Sequence, residues 1–186
     1  VANTFLEDPT WHVRGISRNP GSPACQKLIS KGAEILSGST LSKEFLITAF
    51  KGAHIIFATT DFWSIYRDPS SRSLLAKGQT LNEYSFDVEV QQGKNIAEAA
   101  ALIVDTTLEL FIWSDLVGAR EISGDKWTWV FHFDSKAQVE RHIKENLPAL
   151  SSKTSYFIPG GYVSNLEIFW KPVKVRNLHE AQMYAY

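Results

Sequence analysis

Arg18 is the residue whose setting most directly suggests a chemistry. It follows the run Trp11-His12-Val13-Arg14-Gly15-Ile16-Ser17, which reads as a strand, and opens the loop Arg18-Asn19-Pro20-Gly21-Ser22-Pro23. In open parallel sheets, ligands bind outside the carboxyl ends of the strands. Dinucleotide sites there use a carboxylate for the ribose 2′-hydroxyl or an arginine for the 2′-phosphate. No Asp or Glu lies between Trp11 and Lys31, so Arg18 points to NADP, its planar fork donating two parallel hydrogen bonds to phosphate. A solvated loop arginine is the alternative. Neither a Gly-x-Gly-x-x-Gly fingerprint nor a P-loop occurs, and Gly160-Gly161 lacks a third spaced glycine. The fingerprint normally joins a first strand to a first helix, which would fall just upstream of Val1.

Other chemistries find less support. His12, His54, His132, His142 and His179 form no metal-ligand spacing, and the lone Cys25 cannot build a cysteine cage. No metal is expected. A Gly-x-Ser-x-Gly elbow is absent, which argues against an α/β-type serine hydrolase. Trp63, Trp127 and Trp129 could line a cleft, although buried core or interface positions are the commoner fate of tryptophan. Lys171, Lys174 and Arg176 read as a solvated basic cluster.

These residues need elements to hold them. Residues 1–6 read as the last turns of a helix ended by Asp8-Pro9, since proline cannot continue one. Cys25 to Lys31 reads as a helix ended by Gly32, and Ala33 to Ser37 as a strand. A helix over Leu41 to Phe50, stopped by Gly52, leads to the apolar strand His54 to Thr59, of the kind covered on both faces. Thr60 to Tyr84 reads as a polar loop. Asp87 to Val104 is the best helix, with Val90, Gly93, Ala97 and Ala101 at helical spacing. Leu108 to Trp113 is a further strand. Ser135-Lys136-Ala137-Gln138 resembles a capping box opening a helix with Val139, Ile143 and Leu147 on one face. Ser155 to Ile158 is the last clear strand. This alternation implies βαβ units and a mostly parallel α/β sheet of the Rossmann type, with helices on both faces.

Composition sets outer bounds. The chain has 186 residues, 44% hydrophobic and 21% charged, with 19 Lys plus Arg against 20 Asp plus Glu. A near-neutral chain lacks the electrostatic footprint for a phosphate backbone, which counts against direct nucleic-acid binding. No apolar run of about 18 residues suggests a membrane span. A reducing compartment, the cytoplasm with the nucleus as a second setting, is the expectation.

Several stretches together match one family. Arg18-Asn19-Pro20, Thr59-Thr60-Asp61-Phe62-Trp63, Gln92-Gly93-Lys94-Asn95-Ile96-Ala97, His132-Phe133-Asp134-Ser135-Lys136 and Pro159-Gly160-Gly161-Tyr162 occur in its order and spacing. The chain resembles the NmrA-like family, an atypical branch of the short-chain dehydrogenase/reductase superfamily, from the first helix to about Asn165. The resemblance implies an NADP-binding Rossmann domain. It places Arg18 at the adenosine 2′-phosphate, Ser39 near the adenine, and Thr59 and Thr60 along the middle of the cofactor. Lys94 would approach from the long helix, Lys136 would hold the nicotinamide ribose, and Pro159 and Gly160 would shape the nicotinamide end. The superfamily's tyrosine, four residues before its lysine, is replaced by His132. Ser114, His132 and Lys136 form a substitute catalytic set, or His132 is structural beside a cofactor lysine.

The family's first strand and glycine loop are not in the sequence. Two strands, ending at Ser17 and Thr59, are therefore expected to have unpaired edges or to pair with each other. The expected organisation is an incomplete nucleotide-binding domain over residues 1–170 and a tail over 171–186 that is a remnant of, or replacement for, the carboxyl-terminal region. By resemblance the protein is a redox-sensing regulatory module that binds NADP(H) and a protein partner, such as a transcription regulator or signalling protein. An NADPH-dependent reductase is the alternative, and an inactive fragment the third reading.

Overall fold

A computed structural model describes residues 1–160 and Asn165. Gly161, Tyr162, the basic cluster Lys171, Lys174 and Arg176, and the 171–186 tail lie outside the described residues.

Short strands alternate with helices, as the hydrophobic pattern requires. Helix α1 (Ala2–Leu6) precedes strand β1 (Arg14–Ser17), then α2 (Pro23–Ile29), β2 (Glu34–Ser37), α3 (Lys43–Ala49) and β3 (Ile55–Ala58). Helix α4 (Phe62–Arg67), a 3₁₀ turn at Pro69–Leu74 and the long α5 (Leu81–Ala101) lead to β4 (Leu110–Ser114). Helices α6 (Ala119–Ile122), α7 (Phe131–Asn146) and α8 (Pro148–Ser151) precede β5 (Thr154–Phe157). Pro23 belongs to α2 rather than to the loop before it. Proline at a first helical position loses no hydrogen bond, and the Ser22 hydroxyl caps the Cys25 amide. Gly32 and Gly52 end α2 and α3 at φ +99° and +74°, where a side chain would be strained.

Among the described residues the strands are all parallel, but they form two sheets. β1 pairs with β2, and β3, β4 and β5 form a second sheet in that order. The facing edges of β1 and β3 are not paired with each other, the first of the two outcomes expected. Between them lies a cavity of about 720 Å³ bordered by Gly15 and Ile16 of β1, Ile55 to Ala58 of β3, and Phe5 and Trp11.

One core spans both sheets. Leu46 and Ala49 of α3, Ile96, Ala97 and Ala100 of α5, Val139 and Ile143 of α7, and Leu150 of α8 pack on Ile56, Ala58, Phe111 and Trp113, with Ile16 and Leu36 at its border. Full burial of side chains as large as Phe111 or Ile143 contributes about 2 kcal/mol each. Gly93 lets α5 approach: a β-carbon there would overlap Val139 and come within 3.0 Å of Trp113. Strand β3 differs from its prediction. Phe57 is 39% exposed, so its continuous apolar run is covered on one face and open on the other.

Two further predictions are corrected. The supposed loop 60–84 is largely structured. Asp61 caps α4, and Thr80 with Glu83 forms the reciprocal capping box that starts α5 six residues before Asp87. The signature at Ser135 to Gln138 caps nothing, because α7 begins at Phe131 and Ser135 lies in its second turn, fully buried.

Candidate functional site

Within each sheet, parallel pairing brings the carboxyl ends of the strands to one edge. Ser17 is in register with Ser37, Ala58 with Trp113, and Ser114 with Phe157. Arg18, Ser39, Thr59, Thr60, Pro159 and Gly160 follow directly on these ends or within two or three residues of them. Arg18 and Thr59 are exposed, Ser39 and Pro159 half-buried, Gly160 exposed and Thr60 buried. The Ser39 hydroxyl accepts the Leu41 amide at 3.2 Å, and its loop is tied to α5 by Asn95, whose amide donates to the carbonyls of Thr40 and Leu41. The charge of Arg18 reaches Asp68, just beyond α4. Hydrogen bonds from Ser70 hold that carboxyl below its usual range, and the Arg18 charge adds to the effect.

Lys94 stands apart. It lies on α5 five residues beyond Glu89, about 140° around the helix. It is a neighbour of His142 on α7, whose proton affinity is lowered first by burial and then by the Lys94 charge.

Lys136 sits at the centre of a buried polar cluster, with only 12% of its side chain exposed. Its Nζ donates to the Thr60 carbonyl at 2.9 Å and to Thr60 Oγ1 at 3.0 Å, and stands 3.3 Å from Glu89 Oε1. Glu89 is fully buried on the sheet side of α5. Its Oε1 also accepts the Thr60 hydroxyl at 2.7 Å, and its Oε2 accepts the Ser135 hydroxyl at 2.5 Å. An isolated carboxylate costs several kcal/mol to bury and is tolerated when each oxygen is matched. Here both are. Sequence reasoning missed Glu89; the available signal was a charged residue four positions before Gly93, on the apolar stripe of the helix. It also misread Ser135, whose hydroxyl serves this carboxylate.

The three proposed catalytic residues are not joined. Ser114 is 8% exposed at the end of β4. By strand alternation it faces away from Trp113, the side on which α7 packs, and no hydrogen bond links it to His132 or Lys136 among the described residues. His132 stands one helical turn before Lys136, its ring 5.0 Å from that of Trp63 and 5.9 Å from that of Phe62. Burial pushes its pKa below the usual histidine value, outweighing the pull of Glu89 and Asp134. The neutral imidazole is therefore the form held at pH 7. The tryptophans are not core: Trp63, Trp127 and Trp129 are 41%, 59% and 78% exposed.

Asp115, next after Ser114, was not anticipated. It is fully buried and its Oδ2 has no hydrogen-bond partner. Oδ1 accepts the Leu116 amide at 2.8 Å. Burial, with Glu140 adding to it, pushes the carboxyl up to about 7.

The strand ends carry a guanidinium at Arg18 and hydroxyls at Ser39, Thr59 and Thr60, and α7 carries the Lys136 ammonium, groups able to bind phosphate and sugar oxygens. Among the described residues no group of His, Cys, Asp and Glu side chains is arranged to hold a metal ion. No helix among them is long and apolar enough to cross a membrane.

Comparison with known proteins adds to this. The model of the NmrA-like family matches residues 1–186. An NmrA-like family domain-containing oxidoreductase of Aspergillus hancockii is 26% identical over 146 residues, which is 78% of this chain and 38% of the relative. A second such oxidoreductase, of Aspergillus sp. strain MF297-2, is 28% identical with the same coverage. An NmrA-like family domain-containing protein of Dictyostelium discoideum is 24% identical over 178 residues, 94% of this chain and 50% of the relative. The chain thus spans half or less of the length of these relatives.

Proposed function

The chain belongs to the NmrA-like family, and on that premise we propose that it binds NADP(H) across the carboxyl ends of its strands and works as a redox-sensing module. Arg18 takes the 2′-phosphate, Ser39 lies by the adenine, and Thr59 and Thr60 run along the middle. Lys136 meets the nicotinamide ribose, and Pro159 and Gly160 border the nicotinamide. Lys94 reaches the cofactor only at its margin. When bound, the cofactor supplies a hydride donor or acceptor; the protein's own residues orient it and exclude water around Lys136.

The observation that carries this reading is the contact of Lys136 on α7 with Thr60 at the end of β3, and Arg18 at the end of β1 is read with it. A regulatory role is favoured over rapid turnover because His132 is held neutral and Ser114 faces away from Lys136. A protein partner, a transcription regulator or signalling protein, would read the bound state. The reductase reading rests on a different observation, that relatives carry the name oxidoreductase. In it His132 and Lys136 flank the reacting carbon.

Thermal unfolding with NADPH or NADH tests the proposal. Ligand at a hundred times its dissociation constant adds about 2.7 kcal/mol, a rise of roughly 5–10 °C at this size. NADPH is expected to raise the midpoint more than NADH, and Arg18→Ala to remove the difference. Equal shifts with both cofactors, or none, would overturn it. Steady NADPH oxidation with a carbonyl substrate, lost in His132→Ala, would favour the reductase.

A further inference from the structure

We propose that Glu89 is the positioning residue of the site, fixing where Lys136 Nζ stands. Its relevance to NADP(H) rests on the function proposed above; the positioning itself does not.

The hydrogen-bond inventory carries the argument. An ammonium has three hydrogens and no acceptor. Three protein oxygens surround Lys136 Nζ: the Thr60 carbonyl at 2.9 Å, Thr60 Oγ1 at 3.0 Å and Glu89 Oε1 at 3.3 Å. The Thr60 hydroxyl, accepting from Lys136, gives its own proton to Glu89 at 2.7 Å, and Ser135 fills the other carboxylate oxygen. The circuit is closed. A lysine so bound offers a ligand its charge, and a ribose hydroxyl competes only for the longest of the three contacts.

Glu89 is also costly in place. The same face of α5 buries Val90, Gly93, Ile96, Ala97 and Ala100, and a buried ion pair is often no more stabilising than apolar residues of similar volume. A carboxylate there contributes little that an apolar side chain would not, except the placement of Lys136. It also ties together the end of β3, through Thr60, and the second turn of α7, through Ser135 and Lys136. The site's lysine is thus registered against two elements at once.

The test uses Glu89→Gln, Thr60→Val, Lys136→Met and the Glu89→Gln/Lys136→Met pair in this chain. Its first readout needs no cofactor: the rate of reductive methylation of each lysine, followed by mass spectrometry. Lys153 is the internal control, because its Nζ is bound by the Val104 and Leu108 carbonyls at 2.7 and 2.8 Å, independently of Glu89. Losing a charge-assisted hydrogen bond is worth about tenfold or more. Lys136 is expected to react about that much faster in Glu89→Gln, and also faster in Thr60→Val, while Lys153 stays slow. An unchanged Lys136 rate, or equal acceleration of Lys153, would overturn the proposal; if Glu89→Gln does not fold, Thr60→Val decides by the same criterion.

The second readout is NADPH affinity. Glu89→Gln is expected to weaken it about tenfold and to have no further effect on top of Lys136→Met. Equal losses in both backgrounds would mean that Glu89 does not act through Lys136. Absence of NADPH binding in the parent chain would count against the proposed function, and leave the labelling result to judge Glu89.

Discussion

Replacing Asp115 with asparagine should make the protein more stable at alkaline than at acidic pH relative to the parent, by an amount that the site itself fixes. The carboxyl is fully buried and has one oxygen unpartnered, and burial raises it from 3.8 to about 7. The folded state thus binds this proton more tightly than the unfolded state does. Its contribution is complete below about pH 4, declines between pH 4 and 7 as the unfolded carboxyl ionises first, and is fully lost above the folded value. At about 1.4 kcal/mol per unit the whole window spans at most about 4 kcal/mol, of which about 3 kcal/mol falls between pH 4.5 and 8. Asparagine keeps an oxygen for the Leu116 amide and never ionises. Glu140 and Lys144 of α7 and Tyr156 of β5 also face this position, but they are common to both proteins and cancel in the difference to first order. Urea unfolding of parent and Asp115→Asn at pH 4.5, 6 and 8 gives the comparison. The difference should grow in favour of the variant by about 3 kcal/mol from the lowest to the highest pH. Parallel curves would refute the reasoning, and show Asp115 to be ionised in the fold at no cost.

Gly93→Ala sets about 1 kcal/mol of helix propensity against an overlap with Val139 and Trp113. Because both neighbours are fully buried, a net loss of about 1–2 kcal/mol is expected in urea unfolding, and Val139→Ala in the same chain should recover part of it. His132→Phe should flatten acid sensitivity. Burial depresses the histidine's pKa, so its contribution is complete above about 6.5 and is lost as pH falls below that. Phenylalanine keeps the packing on Trp63 and Phe62 without a proton to bind. Unfolding at pH 7 and 5 reads this directly, and an equal loss in both proteins would exclude His132 as a source.

How far the sequence revealed these features depends on the kind of signal. Strand and helix alternation was legible because apolar periodicity is local, and so was the NmrA-like membership, carried by motifs such as Arg18-Asn19-Pro20 and His132 to Lys136. The positions of Arg18, Ser39 and Thr60 at strand ends followed from the parallel arrangement. Missed were α4 and the first turns of α5, although Asp61 and the pair Thr80 and Glu83 are ordinary capping residues. They lie in a segment whose polar composition hides its helices. Glu89, Ser135 and Asp115 were missed for another reason. Their partners lie 29 to 46 residues away for Glu89, and a lone carboxylate in a helix reads as solvated until its neighbours are known. The capping-box pattern at Ser135 shows the same limit: the residue types were right, and the tertiary partner took the hydroxyl.

The division of the strands into two sheets gives the site an unusual mechanical character. Arg18 and Ser39 follow strands of the smaller sheet, Thr60 follows β3 of the larger, and Lys136 stands on α7, which packs on the larger sheet. Outside the shared core, hydrogen bonds among the described residues join them: Arg14 to the Ala49 and Lys51 carbonyls, Lys43 to Glu98, and Asn95 to Thr40 and Leu41. A dinucleotide reaching from Arg18 to Lys136 would span the seam like a staple, and part of its affinity would be spent in fixing the distance between the sheets. Amide exchange in β1 and β2 should then slow on binding far more than exchange in β4, which is already enclosed. The protein would register its ligand as a change in the separation of two plates.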